Sequence, residues 1–405
     1  MDTVQESFDC QLLYFTSSSC LKDGRGLVFI GEENGNPNVY YREFMTGRTT
    51  RLSNNEEGTL KSYVYFNGNE NRGFGKASAC LDNTRGLVYY LQGRDICQVD
   101  LKGSIRVLAQ VPEGQVTAFM HVSADGKKLC VPTTDARALE AEHRPGAPTL
   151  WPEYDIDERV QKENLSSYLR VYDTQTGEQL LCERVAKAWI THVQFHPQNS
   201  DWILYNHEWA SHCGIRRMWL WDGQYHRALR SLDQGRRIED WVCHEMWSED
   251  GSEIIYHGSY AESGLYYIGR ITLATGVIQE IALPKAYHSY GHFTISKDGL
   301  LVSDGYYVPD SVLEQSTAGQ DYGGSDFAAR WISVQKVDWN RGIITWFPLG
   351  EHNSSWKTQD THPHPIFSPD GKRIYYTTDA SGKLEIRSCI VPQEAFKQAI
   401  AFGFI

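Results

Sequence analysis

The sequence has no C-x-x-C pair among its nine cysteines, which are odd in number and scattered along 405 residues. This pattern argues against a zinc–thiolate site and against a disulfide framework. The sequence also lacks a run of roughly 18 apolar residues, as a membrane span requires. Its first residues have neither the basic nor the apolar stretch of a signal peptide. We therefore expect a cytoplasmic protein with reduced thiols.

Positive charge is also scarce. The chain has 39 Lys and Arg against 51 Asp and Glu, which gives a formal net charge of −12 and a pI near 5.6. Proteins that bind nucleic acid or anionic membranes are usually basic, so we expect neither partner. A small acidic substrate stays open, because a few local arginines can hold a carboxylate. The sequence does not indicate an oligomeric state.

The chain does contain a repeat, which consists of a short strand, a turn of the form S-x-D-G and a run rich in Val, Ile, Tyr and Leu. Its seven copies, three of them degenerate, span residues 17–30, 78–90, 121–131, 192–205, 244–257, 292–302 and 364–376. Further short strands follow each copy, and T-G or R-G dipeptides at 176–177, 275–276 and 341–342 indicate hairpin turns between them. Four short strands in about 40 to 50 residues are typical of a propeller blade.

We therefore predict an all-β fold, a seven-bladed β-propeller, as a single domain over residues 1–405. The terminal strands are expected to complete one blade together. Two units are longer than the others, with insertions at about 135–167 and 306–330. Long loops in a compact repeat are more often functional lids than accidents, and disorder is the alternative.

Histidines recur at one position of the repeat, six residues before the turn aspartate or the residue that replaces it. His192, His244, His292 and His364 occupy this position, and Lys76 occupies it in the second unit. The first strand of each propeller blade lines the central channel, so these residues should share a similar height around the axis. Imidazoles gathered there can bind a metal or take up a proton near neutral pH. The alternative is a hydrogen-bonded channel wall.

The last repeat offers further ligands. His362 lies two residues before His364, so both side chains point to the same side if the segment is extended. Gln359 lies three residues before His362 and can offer an amide oxygen, while His292 comes from the neighbouring unit. Three imidazoles and one amide oxygen predict a divalent metal site, which Mn²⁺, Fe²⁺, Zn²⁺ or Ni²⁺ would fit.

About half of the chain, residues 187–391, resembles the oligogalacturonate lyases, seven-bladed propeller enzymes of pectin degradation. The matching segments are NHEWASHCGIRRMWLW (206–221), CHEMWSEDGSEIIYH (243–257), GHFTISKDG (291–299) and QDTHPHPIFSPDGK (359–372). The Q-x-x-H-x-H spacing is the most specific of them. The resemblance implies Mn²⁺ as the cofactor, bound by His292, Gln359, His362 and His364. The first half of the chain matches only in its repeat pattern.

The resemblance also implies β-elimination on a uronate, with a small acidic oligosaccharide as the substrate. The C5 proton of the sugar is α to its carboxylate, and a divalent cation on that carboxylate stabilises the enolate-like charge that develops. His244 matches the general base of the family, and an imidazole with a pKa of about 6.5 suits this role. Arg217 matches an arginine implicated in substrate binding and catalysis. Departure of the C4 oxygen gives a 4,5-unsaturated uronate.

Four residues are weaker candidates for substrate contacts. His192 and Lys76 share the histidine position but could equally form the channel wall. His207 and Trp209 lie in the loop before Arg217, where Trp209 could stack on a sugar ring or pack within the loop. We expect other tryptophans in the core between blades, namely Trp219, Trp221, Trp241, Trp247, Trp331 and Trp346.

Other functions stay open on the sequence alone. A non-catalytic propeller that binds a protein partner would share the fold, but it would have no need of the Q-x-x-H-x-H motif. A related metal-dependent enzyme could act on another uronate-containing glycan, which the two insertions make credible. A peptidase propeller is disfavoured, because the chain has no G-x-S-x-G elbow.

Overall fold

The structure is a computed structural model of the whole chain. It describes residues 3–4, 6–56, 79–139, 152–208, 214–230, 235–283, 291–305, 331–356, 359–392 and 400–403. Lys76, Trp209 and the predicted insertion at 306–330 lie outside these ranges. Of the predicted insertion at 135–167, residues 140–151 also lie outside them.

Strands dominate the described residues, and they pair in antiparallel fashion into seven sheets. The first four sheets contain β2 (Asp9–Leu12), β3 (Gly26–Glu33), β4 (Asn36–Glu43) and β5 (Thr49–Arg51); β6 (Ala79–Asp82), β7 (Leu87–Gln92), β8 (Asp95–Asp100) and β9 (Ile105–Gln110); β10 (Gln115–Thr117), β11 (His121–Val122), β12 (Lys128–Asp135), β13 (Ser166–Asp173) and β14 (Gln179–Ala186); and β15 (Val193–His196), β16 (Asn199–Asn206), β17 (Met218–Trp221) and β18 (His226–Ala228).

The other three sheets consist of strands from the last part of the chain, and the last of these sheets also includes the first strand of the chain. They are β19 (Trp241–Trp247), β20 (Glu253–Ser259), β21 (Tyr266–Thr272) and β22 (Ile278–Ala282); β23 (Phe293–Ile295), β24 (Leu301–Ser303), β25 (Trp331–Asp338), β26 (Ile343–Glu351) and β30 (Ile400–Gly403); and β27 (Ile366–Phe367), β28 (Arg373–Thr378), β29 (Glu385–Ile390) and β1 (Thr3–Val4). The fold is a seven-bladed β-propeller, and the prediction of this fold class is confirmed.

The S-x-D-G motifs form the hairpins between the first two strands of their sheets. In the seventh sheet the Ser368 hydroxyl donates to Asp370 Oδ1 at 2.6 Å, and the backbone N–H of Gly371 donates to the Ser368 carbonyl at 2.8 Å. Gly371 has a φ of +72°, a conformation that glycine adopts without steric cost. The motif therefore sets the register of each inner hairpin, and with it the position of the residues just before the first strand.

The seventh sheet combines the N-terminal strand with three strands from the last part of the chain. Thr3 of β1 pairs with Arg387 of β29, and Val4 pairs with Ile386. The C-terminal strand β30 instead adds a fifth strand to the sixth sheet, beside β26. The N-terminal strand thus completes a blade that otherwise consists of strands from the last part of the chain.

The apolar core lies between consecutive sheets. Leu169 and Val171 of the third sheet pack with Phe195 and Tyr205 of the fourth, and similar clusters join the fifth to the sixth sheet and the sixth to the seventh. Of the predicted core tryptophans, Trp221, Trp247 and Trp346 are buried, whereas the other three are half-buried: Trp219, Trp241 and Trp331.

Few helical turns accompany the strands. Helix α1 (Pro152–Lys162) lies in the first insertion, and short 3-10 turns occupy Ala136–Leu139 and Gln359–Thr361. Ile156 and Val160 of α1 pack with Ala138 and Trp189, so the described end of this insertion is anchored by apolar contacts. Within the described ranges, no helix is long and apolar enough to cross a membrane, and the eight cysteines found there are all free.

The contacts of the chain group into two compact units. The first unit comprises residues 1–15 and 230–405, and the second comprises residues 16–229. Each of these units contains one cluster of polar residues that the sequence had marked for chemistry.

Candidate active site

Three imidazoles of the first unit form a cluster. His292 directly precedes β23, while His362 and His364 lie just before β27. Each offers a ring nitrogen, and the three nitrogens lie within 4.8 Å of one another. Two nitrogens bound to one ion at about 2.1 Å each are at most about 4.2 Å apart, so small side-chain shifts would allow the cluster to share one ion.

Oxygen acceptors set the orientation of two of these rings. His292 Nδ1 lies 3.1 Å from Asp304 Oδ2, and His364 Nδ1 lies 3.0 Å from the carbonyl oxygen of His362. Because a carboxylate or carbonyl oxygen only accepts, each Nδ1 carries the proton and each Nε2 keeps the lone pair that a metal needs. Asp304 Oδ2 also accepts the backbone N–H of His364 at 3.1 Å, so one buried carboxylate holds both residues. This donor set fits a divalent transition metal.

The backbone around His364 differs from the extended segment that the sequence led us to expect. Residues 363–365 lie outside any strand, and His364 has a φ of +46°. The side chains of His362 and His364 therefore meet through a left-handed residue, and not through the two-residue alternation of a strand. The predicted histidines do lie close together, but the backbone between them is not the extended segment that the sequence suggested.

Gln359 begins the 3-10 turn that ends at Thr361, immediately before His362. Its side chain lies outside the described part of the structure. Its role as the fourth metal ligand therefore stays a prediction.

His244 lies next to the imidazole cluster. Its ring centroid is 4.4 Å from that of His292. The register of β19 with β20 shifts between Cys243 and Met246, and His244, inside this bulge, has a φ of +47°. Such bulges re-aim a side chain. The left-handed backbone conformation of a residue other than glycine costs about 1–2 kcal/mol. His244 Nδ1 lies 2.9 Å from His257 Nε2.

An apolar ring packs against this group of histidines. Phe15 is buried, and its ring lies 5.2 Å from that of His244 in an edge-on arrangement. It also lies 5.8 Å from the ring of His364 and parallel to it. An apolar neighbour of this kind limits water on one side of the cluster and lowers the local dielectric constant.

A polar position that was not apparent from the sequence lies opposite the four histidines, on the second strand of the hairpin or just after it. Four fully buried residues occupy it: Asn206, His257, Asp304 and Thr377. The backbone N–H groups of Asn206 and Asp304 donate to the carbonyl groups of His192 and His292. In the two hairpins whose histidine is left-handed, His257 and Thr377 instead pair with the residue before that histidine. Each of them lies 12 to 14 residues after the histidine of its repeat, a regular spacing that is visible in the sequence.

The second unit contains a buried ion pair around Arg217. Its Nη1 lies 3.2 Å from Glu208 Oε1, and its Nη2 lies 3.4 Å from His192 Nδ1. Asn206 Nδ2 donates to the other carboxylate oxygen of Glu208 at 2.7 Å, and Thr191 Oγ1 also donates to it. Pairing of β16 with β17 brings Glu208 and Arg217 together, because the two residues flank the joined strand ends. The guanidinium is therefore held in place and its charge is compensated.

Asp157 of helix α1 is a further buried acid in this unit, and sequence reasoning did not find it. Burial raises its pKa to about 8; the charge of Glu208 raises it as well, and Arg217 lowers it. Asp157 therefore keeps its proton at neutral pH. Nothing in the sequence distinguished it from the other acids of the insertion.

The remaining substrate-binding candidates have unequal support. His192 is buried, contacts Arg217 and packs 5.4 Å from the ring of Phe119. His207 packs against the ring of Trp219 at 5.4 Å, and burial lowers its pKa to about 4. This environment favours a packing role for His207. Lys76 and Trp209 lie outside the described residues, and their roles stay predictions.

Comparison with known sequences identifies a family. The sequence model of the oligogalacturonate lyases matches residues 4–395. The oligogalacturonide lyase of Pectobacterium atrosepticum is 24% identical over 400 residues, which cover 96% of this chain and 92% of that protein. The oligogalacturonate lyase of Dickeya dadantii is 25% identical over 402 residues, with the same coverage.

Comparison with solved structures agrees with the fold. An oligogalacturonate lyase in complex with manganese superposes with a TM-score of 0.73 at 23% sequence identity. The match covers 97% of this chain and 93% of that chain. The likeness therefore extends over both compact units and includes the first half of the chain, which the sequence motifs did not reach.

Proposed function

Because the chain belongs to the oligogalacturonate lyase family, we propose that it is a metal-dependent lyase that cleaves short oligogalacturonates by β-elimination. One observation carries this proposal beyond the family. Two of the three clustered imidazoles have Nε2 prepared for a metal, and His244 lies beside them. We propose Mn²⁺ as the cofactor, since a similar structure is named as a manganese complex.

His292, His362 and His364 would hold the metal, with Gln359 as a further ligand. The bound cation supplies Lewis acidity at the C6 carboxylate of the substrate, which stabilises negative charge as the C5 proton leaves. Asp304 maintains the ligand orientation by accepting from His292 and from the backbone of His364. The ring of Phe15 packs against His244, and an apolar neighbour of this kind would strengthen electrostatic interactions on that side of the group.

His244 would act as the general base. Its ring nitrogen Nε2 would take the C5 proton, and the C–H electron pair would form the C4–C5 double bond. The C4–O electron pair would leave with the oxygen of the departing sugar, which takes a proton from solvent. The bulge and the left-handed φ of His244 hold its ring towards the imidazole cluster. Proton removal by a positioned imidazole typically contributes 10²–10⁴-fold to a rate.

Arg217 would bind a carboxylate of the substrate. Glu208 and His192 fix the plane of its guanidinium, which is the geometry that bidentate recognition of a carboxylate needs. Because the Glu208 carboxylate already compensates its charge, Arg217 would contribute mainly through directed hydrogen bonds.

The proposal is tested by incubating the protein with di- and trigalacturonate plus Mn²⁺ and following the ultraviolet absorbance of the unsaturated product. We expect absorbance to rise only when a divalent metal is present. His244→Ala should abolish the signal while Mn²⁺ stays bound. His226→Ala, which changes a histidine of the outer strand β18, serves as the matched control.

Three outcomes would change the proposal. Loss of metal from His244→Ala would show that His244 is a ligand and not the base. A signal with another uronate but none with galacturonate would keep the mechanism and overturn the substrate. A protein that binds no divalent metal would contradict the metal-dependent mechanism.

A further inference from the structure

His244 and His257 form a histidine pair behind the proposed base. His244 Nδ1 lies 2.9 Å from His257 Nε2, which is an ordinary hydrogen-bond distance. His257 is fully buried on β20. The rings of Trp241 and Phe293 stand edge-on to it at 5.4 and 6.1 Å. The nitrogen contact with His244 is therefore made within a largely apolar surrounding.

A neutral histidine pair has only one proton on the line between the two nitrogens. If His244 donates from Nδ1, its Nε2 keeps a lone pair and can accept a proton. If His257 donates from Nε2 instead, the Nε2 of neutral His244 carries the proton, and His244 cannot act as a base. The direction of this one hydrogen bond therefore decides whether His244 is competent.

The equivalent position in the next hairpin shows what such a residue does. Asp304 lies opposite His292, as His257 lies opposite the bulge that holds His244. Asp304 accepts from His292 Nδ1 and so leaves Nε2 of His292 with its lone pair. Each hairpin thus places a buried partner at Nδ1 of its histidine. The partner of His292 is a carboxylate, and the partner of His244 is an imidazole.

We propose that His257 is the positioning residue of the base: it accepts the Nδ1–H of His244, so that the lone pair on Nε2 of His244 can take the C5 proton. This inference rests on the proposed function of His244. When Nε2 takes the C5 proton, His244 becomes an imidazolium, and its hydrogen bond to neutral His257 becomes charge-assisted. The proton stays on His244 until solvent removes it after the product has formed.

A neutral partner suits a base that stands beside a metal ligand. A carboxylate at this position could itself bind the cation or compete for the proton, whereas a buried imidazole adds no charge. The pair therefore fixes the tautomer of His244 without adding a negative charge behind the site.

The tautomer can be observed directly by NMR. Protein labelled with ¹⁵N-histidine and kept free of metal would be studied by long-range ¹H–¹⁵N correlation, with the His244 signals assigned from His244→Gln. We expect a protonated Nδ1 and an unprotonated Nε2 for His244. A protonated Nε2 on His244, with His257 as the donor, would overturn the inference whether or not the protein has lyase activity.

Two variants test the consequence for turnover of trigalacturonate with saturating Mn²⁺. His257→Leu removes the acceptor and should lower kcat about 100-fold, with KM and Mn²⁺ stoichiometry little changed. His257→Gln offers an amide oxygen to the same Nδ1–H and should keep kcat within about tenfold of the parent. If His257 only filled space in this apolar enclosure, His257→Gln would not have a higher kcat than His257→Leu.

His121→Leu is the matched control, because His121 Nδ1 also accepts a hydrogen bond, from the backbone of Phe195 in the second unit. An active parent with an equally active His257→Leu variant would refute the inference and leave the proposed function intact. Two bound metal ions per chain, one of them lost in His257→Leu, would also refute it, because His244 and His257 would then be ligands together with Cys243. An inactive parent would contradict the proposed function, and the NMR result would still decide the tautomer.

Discussion

The two polar clusters of this protein are prepared for opposite partners. Around His292, the Nε2 atoms of His292 and His364 present lone pairs, and the buried carboxylate of Asp304 accepts at Nδ1 of His292. Around Arg217, a full positive charge is already paired with Glu208 inside the protein. The first cluster gathers ligand atoms that a cation site would use. In the second, the charge of the arginine is already compensated, and its guanidinium offers oriented donors.

The largest effect is expected from removing a ligand of the imidazole cluster. His292→Ala should lower the affinity for Mn²⁺ at least about 100-fold and abolish turnover, because two imidazoles hold a divalent ion much more weakly than three. Isothermal titration with Mn²⁺ measures the change, and His226→Ala is the control. Unchanged Mn²⁺ affinity would show that the cluster is not the metal site.

A change in the group formed by Arg217, Glu208 and His192 should lower turnover without changing the affinity for Mn²⁺. Arg217→Lys keeps a positive charge opposite Glu208 but loses the planar fork, so we expect kcat/KM to fall on the order of 10²–10³-fold. Mn²⁺ affinity should stay within twofold. Steady-state kinetics and metal titration on the same preparation check both parts. A parallel loss of metal would mean that the two clusters do not act separately.

Asp304→Asn should have an intermediate effect, confined to the imidazole cluster. The amide is a weaker acceptor than the carboxylate and can present its NH₂ group to His292, so Mn²⁺ affinity should fall about 10–100-fold. Asp298→Asn, which changes an exposed carboxylate of the same hairpin, is the control and should leave the affinity unchanged. Equal affinities in the two variants would argue against an orienting role for Asp304.

The smallest effect is expected at Asp157, as a change in stability with pH. Its folded pKa of about 8 lies above its ordinary value of 3.8, so the folded chain keeps a proton that the unfolded chain loses between these values. Stability therefore falls as pH rises through this window. Asp157→Asn does not titrate, so its melting temperature should exceed that of the parent by about 2–4 °C at pH 8, and by less at pH 5.

Thermal unfolding at the two pH values measures this difference, with the exposed neighbour Glu158→Gln as the control. Mn²⁺ affinity should not change in either variant. A melting temperature that is lower at pH 8 than that of the parent would show that Asp157 is ionised and stabilises Arg217.

The repeat made the fold predictable. Each S-x-D-G turn closes a hairpin through contacts within a few residues, so Ser368, Asp370 and Gly371 indicate their hairpin without knowledge of the rest of the chain. The histidine register followed from these turns, because the register of a hairpin is set by its turn. The residues marked in this way include His244, His292 and His364, which the structure brings close together.

The partners of those histidines were less accessible to sequence reasoning. His257 lies on a second strand and Asp304 directly after one. Their polarity looked accidental until strand pairing placed them behind His244 and His292. Glu208 looked like an ordinary loop acid until β16 paired with β17. Asp157 lies in an insertion that shares no register with the repeat.

Local chemistry thus specifies the turns, the number of blades and the row of histidines, because all three depend on contacts between residues near in sequence. Pairing and packing specify the rest. The left-handed backbone of His244 and His364, the proton position on each imidazole and the raised pKa of Asp157 depend on groups that meet only when distant segments fold together. Hydrogen-bond direction and burial are properties of the assembled neighbourhood, and no single stretch of the chain contains them.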